Sequence, residues 1–189
     1  MEPFSLHLLR HGEPERAGRM LGRTDCPSTA AGIQACVDRV ESLEVDTIVS
    51  SNLGRAQSAA EAIGRRKSIA VKIDPLWREI DFGAWDGLGA DEVDQDALAR
   101  FWKDPDTNPP PGGEPRSQLV ARVARAISLL PPRNTLIVTH GGTMRAALSH
   151  LCDLRERDTW TFALPYAALL SFSVWPDERR SAQVTGLQT

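Results

Sequence analysis

Apolar and polar positions alternate along this chain in short blocks, and their period switches repeatedly between that of a strand and that of a helix. Phe4 to Leu9 is a strand-length apolar run. A loop rich in Gly, Pro and charge follows from Gly12 to Pro27. Ser28 or Thr29 can then cap a helix with Ile33, Val37, Val40 and Leu43 on one face. Asp46 to Ser50 reads as a second strand, since Thr47, Ile48 and Val49 are β-branched. A helix starting at Ser51 or Asn52 and running to about Arg66 turns Ala56, Ala59, Ala60 and Ile63 inward. Ile69 to Ile73 is a short strand ended by Asp74-Pro75.

The pattern breaks from Trp77 to Gly89, which reads as irregular. Asp91 to Trp102 returns to helical spacing, and the proline-rich stretch Asp104 to Pro115 is a loop. Ser117 to Leu130 is an amphipathic helix with Leu119, Val120, Val123 and Ile127 inward. Thr135 to Thr139 is a strand and Thr143 to Leu151 a helix. Leu169 to Trp175 reads as a last strand near a sheet edge. Strands alternating with helices predict an α/β fold, with a mostly parallel central sheet flanked by helices, in a single domain over residues 1–189.

Composition narrows this little. A net charge of -3 argues against nucleic-acid or membrane-surface binding. Cys26, Cys36 and Cys152 have neither metal-ligand spacing nor a paired pattern, and read as reduced thiols. With no signal-peptide pattern and no apolar run of membrane-spanning length, the chain is expected to be cytoplasmic.

The candidate chemistry lies at two strand ends. Leu8-Leu9-Arg10-His11-Gly12-Glu13 follows the first strand, and Val138-Thr139-His140-Gly141-Gly142 follows the strand ending at Thr139. Ligands of open α/β sheets sit beyond such carboxyl ends. Arg55, in Ser50-Ser51-Asn52-Leu53-Gly54-Arg55-Ala56, also follows a strand. A phosphate there would meet arginine forks and helix N-terminal N–H groups together. Glu79, in Arg78-Glu79-Ile80-Asp81-Phe82-Gly83, is the best-placed carboxylate. His7 and His150 lack the strand-His-Gly setting and read as structural. No phosphate-binding glycine loop, nucleophile elbow or His-x-x-x-His pair competes, so neither cofactor nor metal is expected.

In these motifs the chain resembles the histidine phosphatase superfamily over roughly residues 4 to 175. Arg10-His11-Gly12 matches its namesake motif, and Ser51 to Ala56 its second arginine motif. Glu79 with Phe82 to Gly87 is similar to the proton-donor segment, and Thr139-His140-Gly141 to the second histidine motif. The resemblance implies a three-layer sandwich and a metal-independent phosphomonoesterase. It implies that His11 is the nucleophile and that Arg10, Arg55 and a protonated His140 hold the phosphoryl oxygens. Glu79 would protonate the leaving oxygen, its pKa raised by burial beside the phosphate anion.

Among subgroups, Arg10 to Pro14, Gly22 to Asp25, and Trp102 before Pro110 to Glu114 resemble the α-ribazole phosphatases of cobalamin synthesis. Ser28 stands where leucine is usual and Pro115 where serine is commoner; both lie in segments expected to shape the substrate mouth. The partner implied is a small phosphorylated metabolite, α-ribazole 5′-phosphate first and a broader range of esters second. The short loop with Ala17 near the mutase asparagine argues against a phosphoglycerate mutase. A phosphate-binding module would not need both His11 and Glu79. A phosphohistidine-protein phosphatase would not need Trp77 to Pro115, which reads as a lid.

Overall fold

The computed structural model describes residues 2–177 and 180–189. Its centre is a six-stranded sheet in the order β3-β2-β4-β1-β5-β6. β1 (Phe4–Arg10), β2 (Thr47–Ser50), β3 (Val71–Ile73) and β4 (Thr135–Thr139) run parallel. β5 (Leu169–Val174) and β6 (Ala182–Gln188) are antiparallel additions.

Helices cover both faces, as period-two side-chain alternation requires of a sheet buried on both sides. Leu9, Leu136 and Val138 point to one face, packed with Cys36 and Val40 from α1 (Ala30–Arg39) and its C-cap. Ala56, Ala59, Ala60 and Ile63 of α2 (Gly54–Lys67) complete that layer. Leu6, Leu8 and Ile137 point to the other face. There they meet Leu119, Val123 and Ile127 of α4 (Arg116–Ser128), and Met144, Ala147 and Leu148 of α5 (Gly141–Cys152). α3 (Gln95–Lys103) adds Leu98 and Phe101, and the short α6 (Glu156–Thr159) follows α5.

One strand and several boundaries differ from the sequence reading. β5 lies near the sheet edge as expected, second from it, but it is not the last strand, because β6 follows and forms that edge. β6 carries few large apolar residues and exposes alternate positions, so its pattern was too weak to read. α2 begins at Gly54 rather than Ser51 or Asn52. The Gly54 N–H is met by Asp25 Oδ1 at 2.8 Å, a capping partner 29 residues away. α1 does start where expected, with Thr29 Oγ1 accepting from Gly32 N–H at 3.0 Å. Among the described residues, no helix is long and apolar enough to cross a membrane, and no group of three or more His, Cys, Asp or Glu is placed to hold a metal ion. The three cysteines are free.

Candidate active site

Ladder register decides what meets at the sheet's carboxyl end. Arg10 of β1 lies opposite Thr139 of β4, so the next residues, His11 and His140, emerge side by side. Their ring centroids are 5.1 Å apart. Ser50 of β2 pairs with Val138, which brings Ser51 beside His140 at 2.8 Å, Oγ to Nε2.

Gly12 is required here. A Cβ on it would come within 2.1 Å of the Gly32 carbonyl oxygen, because the turn after β1 lies on the start of α1. That turn also aims the Gly12 carbonyl at His11 Nδ1, at 2.7 Å. A carbonyl only accepts, so Nδ1 carries the proton and Nε2 of the neutral ring keeps its lone pair. The ring stays neutral: burial, then the nearby Arg55 and Arg10 charges, push its pKa down to about 3, despite the opposing Gly12 bond.

His140 is fully buried, and burial followed by the charges of Arg55, His11 and Arg10 holds its pKa well below the usual value. The protonated His140 expected from the sequence is therefore not the resting form. Its Nε2 faces the Ser51 hydroxyl, which can donate or accept, and its buried Nδ1 has no partner.

Arg55 also departs from expectation. Its fork is spent inside the protein: Nη2 donates to the Leu21 and Gly22 carbonyls at 2.5 and 3.0 Å, and Nη1 to Thr24 at 3.0 Å. What remains is Nε, buried and unpartnered, and the second N–H of Nη1. Arg10 donates through Nη1 to the Leu164 carbonyl at 2.6 Å, and its Nε is likewise buried and unpartnered. Burial lowers the pKa of both guanidiniums.

Glu79 reaches the same end of the sheet. Its Oε2 accepts from Gly142 N–H at 3.0 Å and its Oε1 from Ile80 N–H at 2.9 Å. The first N-terminal amides of α5 are thus partly used by the protein itself. A Cβ on Gly142 would lie 2.3 Å from Glu79 Oε1, so the second glycine of His140-Gly141-Gly142 makes room for the carboxylate.

The loop carrying Glu79 is held carbonyl by carbonyl. Thr139 Oγ1 donates to Trp77 and Thr143 Oγ1 to Arg78, both at 2.7 Å. Arg122 donates to the carbonyls of Leu76 and Arg78 through Nη1, and to that of Glu79 through Nη2. Its Nε and Nη2 also form a bidentate pair with Glu114, at 3.0 and 2.8 Å. The Asp86 carboxylate accepts from three consecutive amides, Gly22, Arg23 and Thr24, fixing the loop that Arg55 supports from the other side.

A cavity of about 330 Å³ opens over Arg10, Glu79, Gly141 and Gly142 and continues to Phe101, Trp102, Arg116, Arg145, Glu156 and Trp160. The histidines lie beside this cavity, behind Arg10 and Gly141, and Tyr166 sits next to them, its ring 5.6 Å from that of His11 and 4.2 Å from the Arg10 guanidinium carbon. The structure thus brings Arg10, His11, Arg55, Glu79 and His140 together. Ser28 does not shape the mouth. It is buried, with Oγ near the carbonyls of Gly12 and Arg55 at 3.1 and 3.0 Å. His7 lies within β1, its Nδ1 2.8 Å from Ser171 Oγ, and His150 lies at the far end of α5.

Residues 6–185 match the model of the histidine phosphatase superfamily (branch 1). The chain belongs to the histidine phosphatase superfamily. The glucosyl-3-phosphoglycerate phosphatase of Mycobacterium tuberculosis is 33% identical over 173 residues, covering 82% of this chain and 78% of that protein. The native structure of a mycobacterial glucosyl-3-phosphoglycerate phosphatase superposes with a TM-score of 0.84 at 29% identity, covering 96% of each chain. A putative α-ribazole-5′-P phosphatase of Escherichia coli superposes at 0.85, covering 98% of this chain and 96% of that one. At 24% identity it speaks for the fold alone. The expected fold and the expected phosphatase class both hold for this histidine phosphatase.

The residues that sequence reasoning missed are Ser51 as the partner of His140, Tyr166, Arg116, Arg122 and Arg145. Tyr166 is the only tyrosine in the chain, but nothing in its local pattern links it to His11.

Proposed function

We propose that the protein hydrolyses phosphate monoesters without a metal, through a phosphorylated His11. The observation that carries this is a set of three buried, unpartnered nitrogens around a neutral imidazole: Arg10 Nε, Arg55 Nε and His140 Nδ1, the last a donor in the tautomer that accepts from Ser51. An unmet buried donor costs about 1–3 kcal/mol. Three of them beside a free lone pair form a receptor for phosphoryl oxygens.

In the first step His11 Nε2 attacks phosphorus, the ester P–O bond breaks, and protonated Glu79 gives its proton to the leaving oxygen. In the second step water attacks phosphorus, its proton passes to the Glu79 carboxylate, and the P–N bond breaks to return neutral His11. A dianionic phosphoryl group also offsets the charges that keep His140 neutral, so His140 can gain its proton once substrate is bound. We take the chain to act as one domain, supported by the single sheet. Free cysteines fit a cytoplasmic setting.

Two substrates have support. α-Ribazole 5′-phosphate rests on the motif resemblance and on the aromatic lining of Phe82, Phe101, Trp102 and Trp160, which suits a flat base. Glucosyl-3-phosphoglycerate rests on the mycobacterial relative. Phosphate release from both esters and from p-nitrophenyl phosphate, measured in EDTA, tests the reading. Release should persist in EDTA and vanish in His11→Ala. Release that survives His11→Ala, or that EDTA abolishes, would overturn it.

A further inference from the structure

Glu79 sits on a stretch with no ladder of its own. Arg78 to Phe82 lies between two short 3₁₀ turns, Pro75–Trp77 and Gly83–Trp85. The carboxylate is held by the Gly142 and Ile80 amides. The Gly142 amide is fixed by α5, but Ile80 is only as fixed as its loop. Where the carboxylate stands therefore depends on what holds the main chain from 76 to 81.

Much of that task falls to one planar group. A guanidinium carries five N–H donors in a rigid fork, and Arg122 uses all five. Nη1 donates to the Leu76 and Arg78 carbonyls at 2.7 and 3.0 Å, and Nη2 to the Glu79 carbonyl at 3.3 Å. Nε and the rest of Nη2 meet the Glu114 carboxylate at 3.0 and 2.8 Å. Glu114 carries the clamp past Glu79: its N–H donates to the Asp81 carbonyl at 2.9 Å, and its Oε2 accepts from Asp81 N–H at 3.3 Å. Further on, Ala84 N–H donates to the Pro111 carbonyl at 2.9 Å. Arg122 stands on α4, whose Leu119 and Val123 are fully buried, so the clamp is anchored in the core. The Arg122 and Glu114 side chains are 13% and 10% exposed, and neither lines the cavity. A buried ion pair is often no more stabilising than apolar residues of the same volume, so stability gives no reason for a pair at this position. Its bonds bracket Glu79 from both sides instead.

We propose that Arg122, clamped to Glu114, is a positioning residue that sets the Glu79 carboxylate for proton delivery to the leaving oxygen. This rests on the phosphatase reading above and deepens it. A displacement of about 1 Å at such a group costs on the order of 10²-fold. The cost falls on esters that need the proton. An alkoxide leaves poorly without one, whereas p-nitrophenolate is a stabilised anion that departs unaided. Loss of the clamp thus separates esters by the basicity of the leaving oxygen, which a general loss of structure does not.

The measurement is kcat/KM for glycerol 3-phosphate, an alkyl ester, and for p-nitrophenyl phosphate, an aryl one. This constant ends with transfer to His11 and so contains the proton-donating step; water attack on the phosphohistidine, shared by all esters, enters kcat alone. Arg122→Lys, which keeps the charge without the fork, should lower kcat/KM for the alkyl ester about tenfold or more beyond any fall for the aryl one. Equal falls, a larger fall for the aryl ester, or no fall for either overturns the proposal. If Arg122→Lys does not fold, as judged by its thermal unfolding, Glu114→Gln decides by the same criterion. Wild-type release from the aryl ester alone also overturns it. Glu79→Gln tests the underlying reading separately. A selective loss there without one in Arg122→Lys leaves the reading standing and removes only the role of the clamp. Equal losses in Glu79→Gln overturn Glu79 as the donor and the proposal with it, and no hydrolysis of either ester overturns both.

Discussion

His140 and Arg55 have no exposed surface and His11 keeps 5%, whereas Trp102 and Trp160, at the outer end of the cavity beside them, leave 54% and 51% of theirs in solvent. The inner residues emerge from strand ends whose mutual positions the ladder sets, and Arg55 opens the helix after one. The outer residues come from α3, α4 and the α5–α6 region, joined through their side chains rather than by a strand ladder. Phosphoryl transfer needs charges fixed before substrate arrives, and a dry, fully packed floor provides that. A leaving group varies from ester to ester, and a half-exposed wall can change without disturbing the chemistry. Floor substitutions should therefore affect all esters alike, and wall substitutions should discriminate among them.

The largest effect expected is that of His11→Ala, a fall in kcat on the order of 10⁴ or more for every ester in a steady-state panel. A loss confined to one ester would break the comparison. Arg122→Ala comes next, on stability. It leaves Glu114, 10% exposed, without its bidentate partner, at a cost of about 3–5 kcal/mol in denaturant unfolding. Gly142→Ala should keep the fold but displace the Glu79 carboxylate by the better part of an ångström, lowering kcat roughly 10²-fold across the panel.

The pH response follows from the floor's dryness. With its pKa held at about 3 against 6.5 in the unfolded chain, His11 binds its proton more readily when unfolded. Its contribution is thus complete above pH 6.5 and is lost as pH falls from 6.5 toward 3, with His140 adding in the same direction. Ring titration by NMR in the ligand-free protein should find both histidines neutral between pH 5 and 8. A midpoint near 6.5 would mean that the floor is wet. The smallest effect belongs to the wall. Trp102→Ala should shift the kcat/KM ratio of a bulky to a small ester by about 1 kcal/mol, roughly fivefold. An equal fall on both would place Trp102 with the floor.

Much of this arrangement was legible in the chain. The strands before His11 and His140 and the helix of Arg55 stood out because apolar period and β-branching report local geometry directly. What escaped depended on distant partners. Asp25, not the nearer Ser51 or Asn52, meets the first amide of α2. The four carbonyls from Leu76 to Glu79 look like an unstructured loop until Thr139, Thr143 and Arg122 supply their donors from elsewhere. Ser28 looked like part of the mouth and is packed beneath it instead.

The sequence alone determined the α/β alternation, the two strand-His-Gly turns and the superfamily, because each is written in residues close together along the chain. Tertiary structure alone decided which arginine faces are free, that both histidines rest neutral, and that Arg116, Arg145 and Trp160 join the site. Desolvation and hydrogen-bond partnership depend on which remote segment covers a side chain, and a residue's near neighbours carry no record of that.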